Sequence, residues 1–88
     1  MEKKIRAMEL IAEGNYCVES KNYKKAPTYF EQAINIDPND KDLCKYAWYN
    51  MGVAYFHLKD YKKVIEYNKR VVEIDPQYEM AWNNRLLG

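Results

Sequence analysis

The sequence contains few of the residues that bend a chain, cross-link it or bind a metal. Its 88 residues include three glycines, three prolines, two cysteines and one histidine. Cys17 and Cys44 form no C-x-x-C pair, and the only histidine, His57, is not close to either of them in sequence. A disulfide framework, a zinc site and a Gly-rich phosphate loop are therefore not indicated. We expect two reduced thiols, no metal and no cofactor.

Long apolar runs and an excess of one charge are also missing. No stretch approaches the ~20 apolar residues that span a bilayer, and the N-terminus lacks a signal-peptide pattern, so we expect a cytoplasmic protein. Lys and Arg number 14 against 13 Asp and Glu, and the two signs are interleaved. This balance argues against nucleic acid and against an anionic membrane as partners. The only basic clusters are Lys24-Lys25 and Lys62-Lys63, and each is either a solvated helix start or an anion contact.

Apolar residues recur at steps of three, four and seven, the spacing that places them on one face of a helix. The pattern predicts five helical segments and no strand, and therefore an all-α fold. Segment by segment, its members are Ala7, Leu10, Ile11, Gly14, Cys17 and Val18; Tyr23, Ala26, Phe30, Ala33 and Ile34; Leu43, Ala47, Trp48, Met51, Ala54, Tyr55 and Leu58; Tyr61, Val64, Ile65, Val71 and Val72; and, from about Glu79, Met80, Trp82, Leu86 and Leu87.

The ends of these helices carry recognisable signals. Asn22 and Asp60 are predicted to cap the second and fourth helices, because their side-chain oxygens can accept unpaired backbone N–H groups. Asp37 and Asp75 each precede a proline, which ends the helix before it. Connections of three to five residues then make neighbouring helices antiparallel. Pro27 falls near the first turn of the second helix, where we expect a local kink.

The chain repeats itself with two different periods. The stretch NYKKAPTYFEQAINIDP, which starts at Asn22, returns 38 residues later as DYKKVIEYNKRVVEIDP, whereas Ala47-Trp48 returns as Ala81-Trp82 after 34. The difference of four residues is about one helical turn. Because Leu43 and Cys44 continue the apolar face of the third helix, we expect that helix to be one turn longer at its start.

The second unit, AWYNMGVAYFHLKDYKKVIEYNKRVVEIDP, resembles the tetratricopeptide repeat, whose pattern is W-x-x-L-G-x-x-Y, then A-x-x-x-F, then P. Trp48, Gly52, Tyr55 and Pro76 match the pattern, while Asn68 stands where Phe is usual. The first unit has the remaining pattern positions in place, with Gly14, Ala26, Phe30, Ala33 and Pro38. The resemblance implies antiparallel helical hairpins stacked as a short right-handed superhelix.

The predicted domain comprises repeat one (about 7–40), repeat two (about 41–78) and a partial third unit (79–88) that forms a C-terminal capping helix. Gly14 and Gly52 have no Cβ, so they let the two helices of a hairpin approach closely. Each hairpin has more apolar surface than it can bury alone, and stacking therefore supplies the core.

The resemblance also implies a protein–protein interaction adaptor whose first helices line a concave groove. The groove positions it implies are Met8, Ile11, Asn15, Val18 and Glu19 in the first unit, Tyr46, Tyr49, Asn50, Val53, Phe56 and His57 in the second, and Met80, Asn83 and Asn84 in the third. In the second unit the same stripe follows from helical spacing alone. These residues either fill space between packed helices or form a surface that binds a partner.

The kind of partner can be narrowed by comparison with one subtype of the family. Its chaperone co-factors hold an acidic peptide C-terminus with two asparagines and three cations. Asn15 and Asn50 match the asparagines, but Ile11, Met80 and Asn84 stand at the cation positions. A carboxylate would find no charge-assisted partner there. We therefore expect an apolar segment, such as an amphipathic helix laid in the groove.

Two other readings stay open. The chain could be a self-assembling structural module, or a fragment of a longer array, that forms a homo-oligomer through Trp82, Leu86 and Leu87 in the incomplete third unit. An RNA-binding helical repeat is a weaker alternative because the net charge is close to zero. No catalytic constellation is indicated, and His57 is interpreted as a surface or groove histidine.

Overall fold

The architecture is a stack of two helical hairpins. The computed structural model describes residues 2–77 and contains four helices, α1 (Glu2–Glu19), α2 (Ala26–Ile36), α3 (Lys41–His57) and α4 (Tyr61–Ile74). No strand occurs in this part of the chain, so the prediction of an all-α fold of helical hairpins is confirmed. Within the same residues, no helix combines the length and apolar character that crossing a membrane requires. The segment from about Glu79 that was predicted to be a capping helix lies outside the described residues.

The two helices of each hairpin approach closely at a glycine. In the first hairpin, Gly14 on α1 faces the ring of Phe30 on α2, and a Cβ at residue 14 would lie 2.7 Å from two ring carbons. In the second hairpin, Gly52 on α3 faces Asn68 on α4, and a Cβ at residue 52 would lie 3.2 Å from the amide oxygen. Both predicted approaches are therefore confirmed.

The apolar core runs across the hairpins because α2 also packs against α3. One cluster contains residues of α1, α2 and α3. Its buried members are Cys17, Ala26, Phe30, Ala47, Met51 and Ala54. A second cluster continues toward the α2–α3 connection, with Ala7, Leu10, Ala33 and Leu43. The fully buried ring of Phe30 thus belongs to the packing of α1, α2 and α3 together. Stability shared between neighbouring hairpins is what a stacked repeat requires.

The helix α3 has the additional turn that the spacing predicted. It begins at Lys41, directly after Asp40, whose Oδ1 accepts the backbone N–H of Leu43 at 3.2 Å. Leu43 and Cys44, which lie in the added turn, are buried. Asp60 likewise caps α4, because its Oδ1 accepts the N–H three residues later at 3.4 Å. Both findings confirm the predictions.

The predicted start of α2 was wrong. The helix begins at Ala26 rather than after Asn22, and no side chain caps it. Pro27 is the physical reason, because it has no N–H to donate and its ring would clash with the carbonyl four residues earlier in a longer helix. At the second helical position Pro27 needs no donor, so the expected kink has no preceding helix in which to form. Residues 20–25 consequently make a longer connection than the three to five residues expected.

The helices α1 and α3 end in the same turn, which the sequence pattern did not predict. Lys21 and Lys59 both adopt a φ of 63°, in the left-handed region. The N–H groups of Lys59 and Asp60 donate to carbonyl oxygens of the last turn of α3 at 3.0 and 2.9 Å, and those of Lys21 and Asn22 do the same on α1 at 3.0 and 2.7 Å. This pair of bonds is the Schellman motif, in which glycine is the usual left-handed residue.

Cys17 and Cys44 are both buried, and each has a free thiol. The Cys44 thiol lies 3.8 and 3.5 Å from the backbone carbonyl oxygens of Asp37 and Pro38, to which it donates. Burial raises the pKa of Cys44 above its usual value, and the nearby carboxylates of Asp40 and Asp37 raise it further. The thiol is therefore held in its neutral form, which is a poor nucleophile.

Candidate functional site

The helices α1 and α3 lie side by side and run in the same direction. The Asn15 Nδ2 on α1 donates to the Tyr46 hydroxyl on α3 at 3.0 Å. Toward the start of both helices, the Lys4 Nζ lies 3.6 Å from the Asp40 carboxylate. These two contacts connect the helices, and the surface depression beside them is called the α1–α3 groove below.

The α1–α3 groove has an apolar floor and apolar rims. Its open volume is about 360 Å³, and its lining consists of Lys4, Met8, Ile11, Ala12, Asn15, Asp40, Asp42, Leu43 and Tyr46. Leu43 is buried at the floor and Ile11 is partly buried, whereas Met8 and Tyr46 expose 57% and 43% of their surface on opposite helices. The groove can therefore accept apolar side chains between two exposed apolar edges.

The polar groups of the α1–α3 groove already have partners within the protein. The Asn15 amide donates to the Tyr46 hydroxyl. Asn50, which does not line the groove, donates its Nδ2 to the backbone carbonyl of Tyr46 at 2.9 Å. Lys4 is the one cation among the described lining residues, and it lies beside Asp40. With Asp42 also on the rim, an entering carboxylate would meet more negative than positive charge.

The structure places the predicted groove residues in several environments. Four of them line the groove together, namely Met8, Ile11, Asn15 and Tyr46. Val18 packs against the core. Tyr49, Asn50 and Val53 are partly buried farther along α3, and Glu19 is exposed at the end of α1.

Phe56 and His57 lie at the end of α3, among aromatic rings. The ring of His57 stacks on Tyr23, with centroids 4.2 Å apart and planes within 8°. Phe56 meets Tyr61 edge to face, with centroids 5.9 Å apart. Among the described residues no group of His, Cys, Asp and Glu side chains could hold a metal ion.

The remaining predicted site residues fall beyond residue 77. The groove positions Met80, Asn83 and Asn84 and the self-association residues Trp82, Leu86 and Leu87 all lie outside the described residues.

Sequence reasoning missed several residues that line the groove. Leu43, Asp40 and Asp42 reach it because the added turn of α3 extends this helix alongside the first half of α1. The four-residue difference between the repeat periods was the available signal. The same four residues that lengthen α3 also lengthen the groove beside it.

Comparison with known families and proteins gives consistent matches. Two family models, both described as tetratricopeptide repeat, match residues 10–40 and residues 46–78. Each match covers most of one hairpin. The second match begins after residues 41–45, which form the start of the lengthened α3.

Several curated proteins contain a similar stretch. The DnaJ homolog subfamily C member 7 homolog of Dictyostelium discoideum is 33% identical over 84 residues, which are 94% of this chain and 16% of that protein. The Heat shock protein sti1 homolog of Schizosaccharomyces pombe is 32% identical over 79 residues, which are 90% of this chain and 13% of that protein. The Photosystem I assembly protein Ycf3 of Cuscuta gronovii is 31% identical over 80 residues, which are 91% of this chain and 43% of that protein. The chain thus spans less than half the length of each.

Proposed function

Because this chain belongs to the tetratricopeptide repeat family, whose fold serves protein–protein interaction, we propose that its α1–α3 groove binds an apolar segment of a partner protein. An amphipathic helix is the occupant that suits the groove. The observation that carries this proposal is the pair of exposed side chains, Met8 and Tyr46, on either side of Ile11 and Leu43. Apolar surface arranged in this way loses contact with water when a helix covers it. The family is non-catalytic, and we propose no reaction for this chain.

The charges around the α1–α3 groove support an apolar occupant over an acidic peptide C-terminus. A carboxylate is held best by an unengaged cation with several donors. In the described groove, Lys4 lies next to Asp40, and the amide of Asn15 already donates to the Tyr46 hydroxyl. An acidic terminus would have to displace these contacts before it could bind.

The test uses two matched pairs of substitutions. Met8→Gln with Tyr46→Gln removes the two apolar rims of the groove. Ile5→Gln with Tyr16→Gln removes two apolar side chains of α1 that are at least as exposed and do not line the groove. The probe is a labelled amphipathic helical peptide with leucines on one face, and its control is a scrambled peptide of the same composition.

We expect the groove pair to weaken binding of the amphipathic peptide by at least about tenfold, because two apolar contacts are lost. The Ile5/Tyr16 pair should leave binding within about twofold, since surface changes elsewhere rarely matter. Far-UV circular dichroism should show the same helix content for both. Equal losses in the two pairs, or equal binding of the scrambled peptide, would contradict the proposal.

Self-association is the second candidate, and one feature of α4 favours it. Tyr61 and Ile65 expose 45% and 41% of their surface on the outer side of this last described helix. We propose that Trp82, Leu86 and Leu87 take part if chains associate. Light scattering on a sizing column should then show a mass that rises with concentration and that Trp82→Ala lowers to that of one chain. A single-chain mass at every concentration would exclude this candidate.

A further inference from the structure

Lysines gather at the end of the molecule where each hairpin turns. The α1–α2 connection and the α3–α4 connection, together with the first turn of α4, carry six of them. All six are exposed, and they are Lys21, Lys24, Lys25, Lys59, Lys62 and Lys63. Asp60, which caps α4, is the one acidic residue in residues 20–25 and 58–63. This surface is called the lysine end below.

The two connections lie close together in space. The ring of Tyr23, in the first connection, stacks on His57 at the end of α3 at a centroid distance of 4.2 Å. Lys21 and Lys59 hold the same left-handed position after α1 and α3. The two groups of three lysines, related by the repeat, therefore belong to one surface.

Among residues 2–77, the lysines of this surface have no ion-pair partner. In residues 2–77 the ion pairs involve Lys4, Arg6, Lys45 and Arg70, all of which lie elsewhere. Lys63 lies over the ring of Tyr55, with its Nζ 4.9 Å from the ring centroid. The Coulombic attraction of the Tyr55 oxygen raises the pKa of Lys63 above its ordinary value, and Tyr67 and Asp60 raise it further.

Charge is unevenly distributed although the total is close to zero. The opposite end, at the α2–α3 connection and the end of α4, carries both signs, with Asp37, Asp40, Asp42 and Asp75 beside Lys4, Lys41 and Lys45. Lys45 is paired there with both Asp42 and Asp75. A near-neutral total, which argued against anionic partners, therefore conceals a local field that attracts anions at the lysine end.

An aromatic cluster occupies the middle of the lysine end. His57 contacts Tyr23 on one side and Phe56 on the other, and Phe56 contacts Tyr61. Phe56 and Tyr61 remain 40% and 45% exposed. The surface thus has an apolar centre inside a frame of positive charge.

We infer that the lysine end is a second binding surface, and that it takes an acidic protein segment in which Asp and Glu flank an apolar side chain. The carboxylates would lie against the two lysine groups and the apolar side chain against Phe56 and Tyr61. The six lysines can attract a carboxylate or a phosphate as point charges, so the charge alone does not select between them. The rings contact one another, which leaves fewer free faces for stacking bases. This second feature favours an acidic peptide over a nucleic acid.

The inference is independent of the α1–α3 groove and has its own test. The probe is a labelled peptide of mixed Asp and Glu around one central Phe, and the control peptide has Asn and Gln in place of the acids. Lys24→Glu with Lys62→Glu changes the lysine end at two equivalent positions. Lys3→Glu with Lys69→Glu changes the net charge equally at two exposed lysines outside it. Fluorescence anisotropy at low and high salt measures binding.

We expect the acidic peptide to bind the unmodified chain in a salt-sensitive manner and the Asn/Gln peptide not to bind. The Lys24/Lys62 pair should weaken binding about tenfold, since each reversal replaces an attraction with a repulsion, while the Lys3/Lys69 pair should change it less than about threefold. Equal weakening by the two pairs would overturn the inference, because net charge alone would then explain the binding. It would also be overturned if a poly-dT oligonucleotide bound more tightly than the acidic peptide, or if neither ligand bound.

Discussion

The two hairpins follow one plan and differ where their helices come closest. In the first, the ring of Phe30 lies against Gly14 and is fully buried in a cluster shared with α3. In the second, the equivalent contact is made by Asn68 and Gly52, and Asn68 is also fully buried. Within residues 2–77, its Nδ2 and Oδ1 have no hydrogen-bond partner. A buried amide without partners costs free energy that an aromatic ring in the same place does not.

This difference shows that the same glycine position of the repeat can face either an aromatic ring or a smaller polar side chain. Gly14 is required because a flat, rigid ring fills the space in front of it. Gly52 faces a smaller polar side chain and has about half an ångström more room. The comparison indicates that the first hairpin is the more tightly packed of the two and the second the less stable.

The largest expected effect is that of Phe30→Asn, which places in the first hairpin the residue type that Asn68 supplies in the second. The change removes a buried ring and introduces an unpaired amide, and we expect a loss of about 4 kcal/mol in the free energy of unfolding. Urea unfolding followed by circular dichroism measures it. Phe30→Leu is the control and should lose only about 1–2 kcal/mol, since it stays apolar. Equal losses in the two variants would refute the role assigned to the ring.

The two glycines should respond differently to alanine. A Cβ at residue 14 would collide with the Phe30 ring, so Gly14→Ala should lower the free energy of unfolding by about 1–2 kcal/mol despite the gain in helix propensity. Gly52→Ala should stay within about 1 kcal/mol of the unmodified protein, because the amide of Asn68 can shift slightly. Urea unfolding followed by circular dichroism measures the loss for each variant. If Gly52→Ala proves as damaging as Gly14→Ala, the two interfaces are equally tight.

Replacing the buried amide should stabilise the second hairpin. Asn68→Leu keeps a similar size and removes two unpaired polar atoms, and we expect a gain of about 1–2 kcal/mol in the free energy of unfolding. Asn35→Leu, at an exposed position of α2, is the matched control and should change it by less than about 0.5 kcal/mol. A loss of stability with Asn68→Leu would mean that the amide has a favourable role in the fold.

The smallest expected effect tests what the hairpins share. Lys21→Gly and Lys59→Gly should each raise the free energy of unfolding by about 0.5–1 kcal/mol, because glycine adopts a positive φ without steric strain. Thermal unfolding of the two variants should give similar shifts, since the hydrogen bonds around the two lysines are the same. Lys62→Gly, within the helix α4, should act in the opposite direction. A gain in only one hairpin would show that their turns are not equivalent.

The spacing of residues was sufficient to predict much of the fold. Helical periodicity predicted the four described helices, and the two glycines predicted the close approaches. The difference between the repeat periods predicted the added turn at Lys41. These features depend on local geometry and on patterns that survive in one chain. The start of α2 was missed because a capping signal at Asn22 competes with Pro27, and the constraint of the proline ring is the stronger of the two.

The candidate site was less accessible to sequence reasoning. Met8, Ile11, Asn15 and Tyr46 could be placed in one groove because they follow the helical period on α1 and α3. Phe56, only ten residues after Tyr46, lies instead in the aromatic cluster, because α3 ends there and the start of α4 brings Tyr61 against it. The left-handed lysines, and the lack of hydrogen-bond partners for Asn68 within residues 2–77, were also beyond prediction. Both depend on what other segments place around a residue, and composition carries no signal for that.

The two buried thiols make the motions of the two halves of the molecule separately measurable. A soluble thiol reagent reaches Cys17 only when the first hairpin separates, and it reaches Cys44 only when the connection between α2 and α3 lifts from the start of α3. Chains that retain one cysteine each would therefore report two different opening rates from two otherwise identical proteins. Cys17 and Cys44 are therefore intrinsic probes of how fast the packed helices separate.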